Sequence, residues 1–180
     1  MKKLLSLLIT TLLLSGCTSP TKVNAPGVVT SCDEIRLLED ADKSTLMGCL
    51  DGSAKIDFHQ LKGPLLINVW GSWCEGCKQE MPYFVELYQS PLFKNGQIQM
   101  LGVNVEEKSK DDAIEYIQKS GMSWPNLEDA NGISKSIFGP GVPVTWFIDE
   151  TGKTIDIKIG AYTTKNQLFN QVEKAFGVKL

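Results

Sequence analysis

The feature that most constrains this chain is an apolar run, Leu65 to Trp70, that is followed four residues later by Cys74 and seven residues later by Cys77. A short continuous apolar run is typical of a strand buried on both faces of a sheet. Helical spacing follows from Glu75 to Tyr88, with Pro82 expected to kink the helix. A strand that turns directly into a helix places the two cysteines at the helix N-terminus.

That position favours redox chemistry. A helix N-terminus presents unpaired backbone N–H groups and the positive end of the helix dipole, and both stabilise a thiolate. The thiolate is the form of cysteine that attacks a disulfide. We therefore expect Cys74 to be the nucleophile and Cys77, one turn further along, to be the resolving thiol.

The remaining pattern predicts a single α/β domain with a mixed sheet. Asp51-Gly52 indicates a hairpin, and Gly121 is expected to end a helix that begins after Ser109. The order β-α-β-α, followed by β-β-α, differs from the alternation of a Rossmann fold. Further strands are predicted at 54–58, 98–105, 144–148 and 154–159, and further helices at 33–41, 109–120, 131–138 and 164–176.

The N-terminal segment indicates export. Met1-Lys2-Lys3 is followed by an apolar stretch from Leu4 to Leu14, which is shorter than the roughly 20 residues of a membrane-spanning helix and typical of a secretory signal. Leu14-Ser15-Gly16-Cys17 resembles a bacterial lipobox. The resemblance implies a signal peptide at 1–16, lipid on Cys17, and a lipid-anchored linker and N-terminal extension at 17–45. An ordinary cleavage site beside an incidental cysteine is the alternative.

Charge argues against one class of partner. The formal net charge is −3, and no run of basic residues is present, so we expect no nucleic-acid partner. The hydrophobic content of 42% and the charged content of 22% are those of a globular protein.

The five cysteines can be divided by role. If Cys17 carries lipid, four remain in a compartment where disulfides persist. Cys74 and Cys77 are a local pair, which leaves Cys32 and Cys49 for each other. The second pair is interpreted as a structural bridge that holds the N-terminal extension, with a second redox pair as the alternative.

A metal site is not expected. Structural zinc needs four ligands, but His59 is the only histidine and Cys32 and Cys49 do not form a second Cys-x-x-Cys motif. No cofactor is expected either. A peroxidase is disfavoured, because the Thr-x-x-Cys site of peroxiredoxins, with a proline ahead of it, is missing.

Two segments resemble a known family. Leu65 to Pro82, which includes Trp73-Cys74-Glu75-Gly76-Cys77, and Gly141 to Asp149 with Gly152 are similar to the TlpA/ResA-type thioredoxin-like lipoproteins and their cytochrome c maturation relatives. The resemblance extends over about residues 47 to 180. It implies a thioredoxin-like fold at 46–180, with a central mixed β-sheet flanked by helices and preceded by an N-terminal extension and hairpin.

The resemblance also implies roles for individual residues. Pro143 matches the family's cis-proline, and Val142 before it would contact substrate through its backbone. Trp73 would belong to the rim around Cys74. Glu80 matches a glutamate near the dithiol and would accept a proton or tune a pKa; the alternative is a solvated carboxylate on the helix surface. Asn68 stands where cytosolic thioredoxins carry a buried acid.

The expected function is that of an extracytoplasmic, membrane-anchored thiol–disulfide oxidoreductase. The resemblance implies a monomer that reduces exported proteins such as apocytochrome c, with electrons from a transmembrane donor of CcdA/DsbD type. Glu75 places a negative charge between the cysteines, which disfavours the thiolate and favours a reductase. The alternatives are an oxidase that forms disulfides and a tethered binding or chaperone module without redox activity.

Overall fold

The computed structural model describes residues 26–39 and 45–180. The predicted signal peptide, Cys17 and residues 18–25 and 40–44 of the predicted linker and N-terminal extension lie outside these residues. The described residues form seven strands, five α-helices and one short 3-10 helix. In chain order these are β1 Leu46–Cys49, β2 Lys55–Asp57, the 3-10 helix Phe58–Gln60, β3 Leu65–Trp70, α1 Glu75–Tyr88, α2 Pro91–Lys94, β4 Gln99–Val105, α3 Lys110–Ser120, β5 Asn126–Asp129, α4 Ser134–Phe138, β6 Val144–Ile148, β7 Thr154–Ile159 and α5 Lys165–Phe176.

The seven strands form one mixed sheet in the order β2-β1-β5-β4-β3-β6-β7. The three central strands β3, β4 and β5 run parallel, so their carboxyl ends meet at one edge of the sheet. Strands β6 and β1 run antiparallel to this centre, and β7 and β2 extend the sheet on either side. The strand β3 has all six side chains buried, and the turn into α1 leaves from its carboxyl end.

Two hydrophobic cores cover the two faces of the sheet. Helices α1, α3 and α5 pack on one face around large side chains such as Trp70, Phe84 and Phe147. The other face is covered by the N-terminal extension, the 3-10 helix and α4, which contribute Ile35 and Phe138 among others. Burial on both faces explains why β3 and β4 are almost entirely apolar.

Most of the predicted elements are confirmed. The strands β3, β6 and β7 and the helix α1 have the predicted bounds, and α3 begins after Ser109 and ends at Gly121. The Ser109 hydroxyl accepts from the Asp112 N–H, and Gly121 adopts a φ of 85°, the left-handed region that favours glycine. Gly52, in the hairpin between β1 and β2, has a φ of 83°.

Two predicted helices differ from the structure. Residues 33–39 form no helix, because Leu37 pairs with Leu61 and the Arg36 side chain binds backbone and side-chain oxygens of neighbouring segments. The helix predicted at 131–138 begins only at Ser134. The Asp129 carboxylate accepts from the Ile133 and Ser134 N–H groups, which places the first turn there.

Three short elements were not predicted. These are the 3-10 helix Phe58–Gln60, whose first residue was expected in the strand at 54–58, the four-residue helix α2 and the strand β5. Among the helices that the structure describes, none has the length and apolar character needed to cross a membrane.

Candidate active site

The two cysteines of the motif lie at the start of α1. Cys74 is the N-cap residue, and its sulfur accepts a hydrogen bond of 3.1 Å from the Cys77 N–H. A disulfide joins the two residues, with an S–S distance of 2.04 Å and a Cα–Cα distance of 5.3 Å. Both residues are buried, and Cys74 retains slightly more exposure than Cys77. The structure thus holds the oxidised form of the pair.

A carboxylate from the next loop fixes the turn that leads to Cys74. Glu107 accepts from the Ser72 N–H at 2.5 Å and from the Ser72 hydroxyl at 2.6 Å. The Asn104 amide also donates to it, at 2.8 Å. Sequence reasoning missed Glu107. The available signal was its position two residues beyond β4, at the edge of the sheet where the parallel strands end.

Trp73 forms part of the surface beside this turn. Its indole N–H donates to the Val105 carbonyl oxygen at 3.2 Å, and 48% of the residue remains exposed. The ring is therefore anchored at its polar end while its apolar face is open to solvent. This geometry fits the expected role of Trp73 on the rim around Cys74, whereas Trp70 is fully buried in the core.

The segment before β6 lies directly against the motif. The Val142–Pro143 peptide bond is cis, Pro143 is buried, and Val142 is half-buried. A Cβ atom on Gly76 would lie 3.3 Å from Pro143 Cδ and 3.5 Å from Ala161 Cβ. A side chain at position 76 would therefore be in tight contact with Pro143, so the motif and the proline form one surface.

Glu80 is fully buried, one turn beyond Cys77. Its carboxylate accepts from the Asn68 amide at 3.1 Å and from the Tyr162 N–H at 2.9 Å. Burial raises the pKa of Glu80 to about 7, against the opposing effects of these two hydrogen bonds and of the positive charge on Lys158. The alternative of a solvated surface carboxylate is wrong, and Glu80 is instead placed where it can exchange a proton near neutral pH.

Asn68 supports this carboxylate from β3. It is fully buried, and its Oδ1 atom has no hydrogen-bond partner among the described residues. One amide hydrogen bond therefore joins Asn68 to Glu80, and the Asn68 Oδ1 atom accepts none from the described residues. On the other side of Glu80, burial and the negative charge of Glu80 raise the pKa of the Tyr162 hydroxyl.

The second pair of cysteines lies elsewhere. A disulfide joins Cys32, in the N-terminal extension, to Cys49 at the end of β1, and both are buried. Cys49 pairs with Leu127 of β5, so it lies three strands from β3, about 14 Å across the sheet. The two sulfurs and a carboxylate oxygen of Asp51 lie within 4.8 Å of one another. With the sulfurs bonded to each other, this cluster offers no thiolate to a metal.

A known protein family and its relatives match about two thirds of this chain. The AhpC/TSA family matches residues 39–157, about two thirds of the chain. The chain belongs to the AhpC/TSA family. The thiol–disulfide oxidoreductase ResA of Bacillus thuringiensis (strain Al Hakam) is 32% identical over 123 residues, which cover 67% of this chain and 68% of ResA.

Solved structures share the fold. A secreted disulfide oxidoreductase of Mycobacterium tuberculosis, homologous to DsbE of E. coli, superposes with a TM-score of 0.62 at 21% identity. That match covers 74% of this chain and 99% of the other. StoA from Bacillus subtilis superposes with a TM-score of 0.55 at 23% identity, over 72% and 96% of the two chains. The fold is thioredoxin-like. Like its relatives, this member of the AhpC/TSA family is a thiol–disulfide oxidoreductase.

The structure brings most of the predicted site residues together. Gly76, between Cys74 and Cys77, lies against Pro143. Glu80 lies one turn beyond Cys77 in the same helix. Cys32 and Cys49 are not part of this group, and Cys17 is outside the described residues. The arrangement can carry out dithiol–disulfide exchange, with a nucleophile capped by an N–H group and a buried acid that titrates near pH 7.

Proposed function

We propose that the protein is an extracytoplasmic disulfide reductase of exported proteins, with apocytochrome c as a client. It would act as a monomer anchored by lipid on Cys17 to the outer face of the cytoplasmic membrane. A transmembrane protein of CcdA/DsbD type would supply its electrons. The observation that carries the proposed direction is the buried carboxyl group of Glu80, one turn beyond Cys77 in α1.

The direction follows from charge. A disulfide becomes a strong oxidant when its reduced form is stabilised as a thiolate. Above pH 7 the Glu80 carboxylate is ionised, and a buried negative charge one turn from Cys77 disfavours a second one on sulfur. Glu75, exposed at the first position of α1, adds a further negative charge at the dipole's positive end. Both acids destabilise the thiolate form, which makes the pair more reducing.

The proposed reaction moves two electrons from the protein to its client. The Cys74 thiolate attacks one sulfur of the client disulfide, forms a mixed disulfide and releases a client thiolate, which takes up a proton. The Cys77 thiol passes its proton to Glu80 and attacks the Cys74 sulfur. That step releases the second client thiolate, which takes the proton from Glu80, and leaves the Cys74–Cys77 disulfide seen in the structure. A dithiol donor then reduces the protein again.

The proposed location rests on the sequence of the first seventeen residues and is consistent with the second disulfide. A positive start, a short apolar stretch and Leu14-Ser15-Gly16-Cys17 support export and lipid attachment. Lipid with more than one acyl chain would anchor the protein stably, where a single chain would not. A fully buried bridge such as Cys32–Cys49 fits a compartment in which disulfides persist.

The reduction potential of the Cys74–Cys77 pair tests the direction. We expect a value near that of thioredoxin, about −270 mV, and a value above about −150 mV would overturn the reductase. The potential would be measured by equilibration with glutathione, with Cys74→Ser as the blank. Turnover should be assayed with an oxidised Cys-x-x-Cys-His peptide, the haem-attachment sequence of c-type cytochromes. No reduction of this peptide, with insulin still reduced, would exclude the proposed client but keep the reductase.

A further inference from the structure

The edge strand β7 exposes three isoleucines in a row. Ile155, Ile157 and Ile159 are 42%, 44% and 78% exposed, although isoleucine is among the residue types most often buried. They alternate with Thr154, Asp156 and Lys158, whose side chains are half-buried. We call the three residues the isoleucine stripe. At about 3.3 Å per residue it extends about 13 Å along the strand.

The stripe runs into the active site. Ile159 pairs with Val144, the residue after the cis-proline, and the Gly160 N–H donates to the Pro143 carbonyl oxygen at 2.9 Å. Ala161, two residues beyond the stripe, lies against Gly76 of the motif. Because Val144 and Trp146 of β6 pair with Ile159 and Ile157, the stripe lies on the face of the sheet opposite α1 and α5.

Backbone pairing along this edge is hindered by the strand's own charged residues. The Gly160 N–H bonds to Pro143, and hydrogen-bonded pairs alternate with unbonded pairs along antiparallel strands. The backbone N–H and C=O groups of Ile157 and Ile159 therefore point away from β6, toward the unpaired edge of the sheet. The Asp156 carboxylate accepts from the Ile157 N–H at 2.9 Å, and the Lys158 ammonium donates to the Ile159 carbonyl oxygen at 2.8 Å. Charged groups in these positions protect edge strands from pairing with other chains. A second copy of β7 is therefore disfavoured as the occupant.

We propose that the isoleucine stripe binds apolar side chains of the client polypeptide next to its reactive cysteine. The inference rests on the proposed function, because it assigns a substrate class to the Cys74 site. A client disulfide held at Cys74 places the flanking residues beside Pro143 and Ala161, and the stripe continues from there. Clients would be unfolded or extended segments with leucine, isoleucine, valine or phenylalanine at alternate positions near the cysteine.

The test compares two synthetic peptides on the full-length reduced protein. Each carries one cysteine in a mixed disulfide with 2-nitro-5-thiobenzoate, whose release is coloured. One has leucine and valine at alternate positions near the cysteine, and the other has serine and asparagine there. The wild-type second-order rate constant should be about tenfold higher for the apolar peptide, as partial burial of two or three isoleucines would give.

The variant is Ile155→Thr/Ile157→Thr/Ile159→Thr, because threonine keeps the β-branched shape that strands prefer. Its preference for the apolar peptide should fall to within about twofold. Both peptides are measured on the same preparation, so any loss of folded protein cancels in the ratio. Val28→Thr is the matched control and should keep the wild-type ratio. Val28 is 60% exposed. Its backbone N–H donates to the Met122 carbonyl oxygen just beyond α3, at the opposite end of the sheet from Cys74.

Three outcomes would overturn the proposal. The first is an unchanged ratio in the triple variant. The second is sedimentation of the wild type as a dimer and of the triple variant as a monomer, which would show that the stripe binds a second copy of the chain. The third is binding of the wild type, but not of the triple variant, to phosphatidylglycerol vesicles, which would show that the stripe binds a membrane surface. Failure of the proposed function is distinguishable, because it would appear as a reduction potential above about −150 mV, whatever the ratio of the two rate constants.

Discussion

The two disulfides differ little in burial and greatly in what faces their sulfurs. The Cys74 sulfur accepts a backbone N–H at the N-terminus of α1. The Cys32 and Cys49 sulfurs each lie 3.9 Å from a backbone carbonyl oxygen, that of Asn126 or Thr30, and the Asp51 carboxylate is nearby. Hydrogen-bond donors stabilise a thiolate, whereas carbonyl and carboxylate oxygens destabilise it. We therefore propose that partial charge at the sulfur, rather than exposure, makes Cys74–Cys77 the exchanging pair and Cys32–Cys49 the structural one.

Sequence separation reinforces this division. Cys74 and Cys77 are 3 residues apart, so closing their bond constrains little chain and can be reversed locally. Cys32 and Cys49 are 17 residues apart, and their bond ties the N-terminal extension to β1. The longer loop restricts the unfolded chain more, so the second disulfide contributes more to stability. We therefore propose that redox activity belongs to Cys74 and Cys77 and that Cys32 and Cys49 stabilise the fold.

The largest expected effect is on exchange itself. Cys74→Ser should lower the rate of insulin reduction by more than about a thousandfold, because no thiolate remains to attack. Cys77→Ser should instead accumulate a mixed disulfide with the client, detectable by non-reducing electrophoresis.

The control for this prediction is the double variant Cys32→Ser/Cys49→Ser, measured at a temperature where it is folded. It should retain the wild-type rate. A comparable loss of exchange in that variant would mean that both pairs take part in electron transfer, and the division between them would be wrong.

The second prediction concerns stability. Cys32→Ala/Cys49→Ala should lower the free energy of unfolding by about 3 kcal/mol, and Cys74→Ala/Cys77→Ala by about 2 kcal/mol, from the loop lengths alone. Urea denaturation monitored by the circular dichroism of the helices would measure both. The reverse order would show that the motif disulfide stabilises the fold more than its short loop allows.

The third prediction concerns Glu80, the buried acid one turn beyond Cys77. The pKa of Glu80 is about 7 in the folded protein and 4.5 as its ordinary value, so the folded state binds a proton more tightly. Stability from this group is fully present below pH 4.5 and is lost as pH rises through 7, about 3 kcal/mol in all. Glu80→Gln should remove this loss, measured as urea denaturation of the oxidised protein at pH 4.5 and pH 8.

Glutamine is a suitable replacement at this position. Its oxygen can accept from the Tyr162 N–H, and its amide can donate to Asn68 if the Asn68 amide turns its unpaired Oδ1 toward it. The variant should also lose the inflection near pH 7 in its rate of client release. A wild-type stability that stays flat between pH 4.5 and pH 8 would contradict the assignment of a raised pKa to Glu80.

Sequence alone was sufficient where a pattern is local. The five apolar residues of β3 and the helical spacing of α1 lie together in the chain, and the positions of Cys74 and Cys77 follow from the turn between these two elements. The strand β5 was missed because Asn126 is polar yet buried. Its side chain accepts the Trp70 indole N–H from a residue 56 positions away. Distant contacts of this kind have no local signature.

The same reason limits prediction of the site. Glu80 matched a family pattern, but its burial depends on Asn68, 12 positions earlier, and on Tyr162, 82 positions later. Glu107 had no pattern at all, because its role is to accept hydrogen bonds from Ser72, 35 positions away. The chemistry of the cysteines was predictable, whereas the groups that tune and position them required the fold.

The smallest expected effect tests the charge argument at its weakest point. Glu75 is exposed at the first position of α1, so water screens its effect on the Cys74 sulfur. Glu75→Gln should raise the reduction potential of the pair by about 10 mV, because 30 mV corresponds to about 1.4 kcal/mol and an exposed charge contributes a few tenths of that. Asp111→Asn removes the same charge from the first turn of α3 and should leave the potential unchanged. The shift for Glu75→Gln should shrink in 1 M salt. A lower potential would mean that the charges facing the sulfur do not set the direction of exchange.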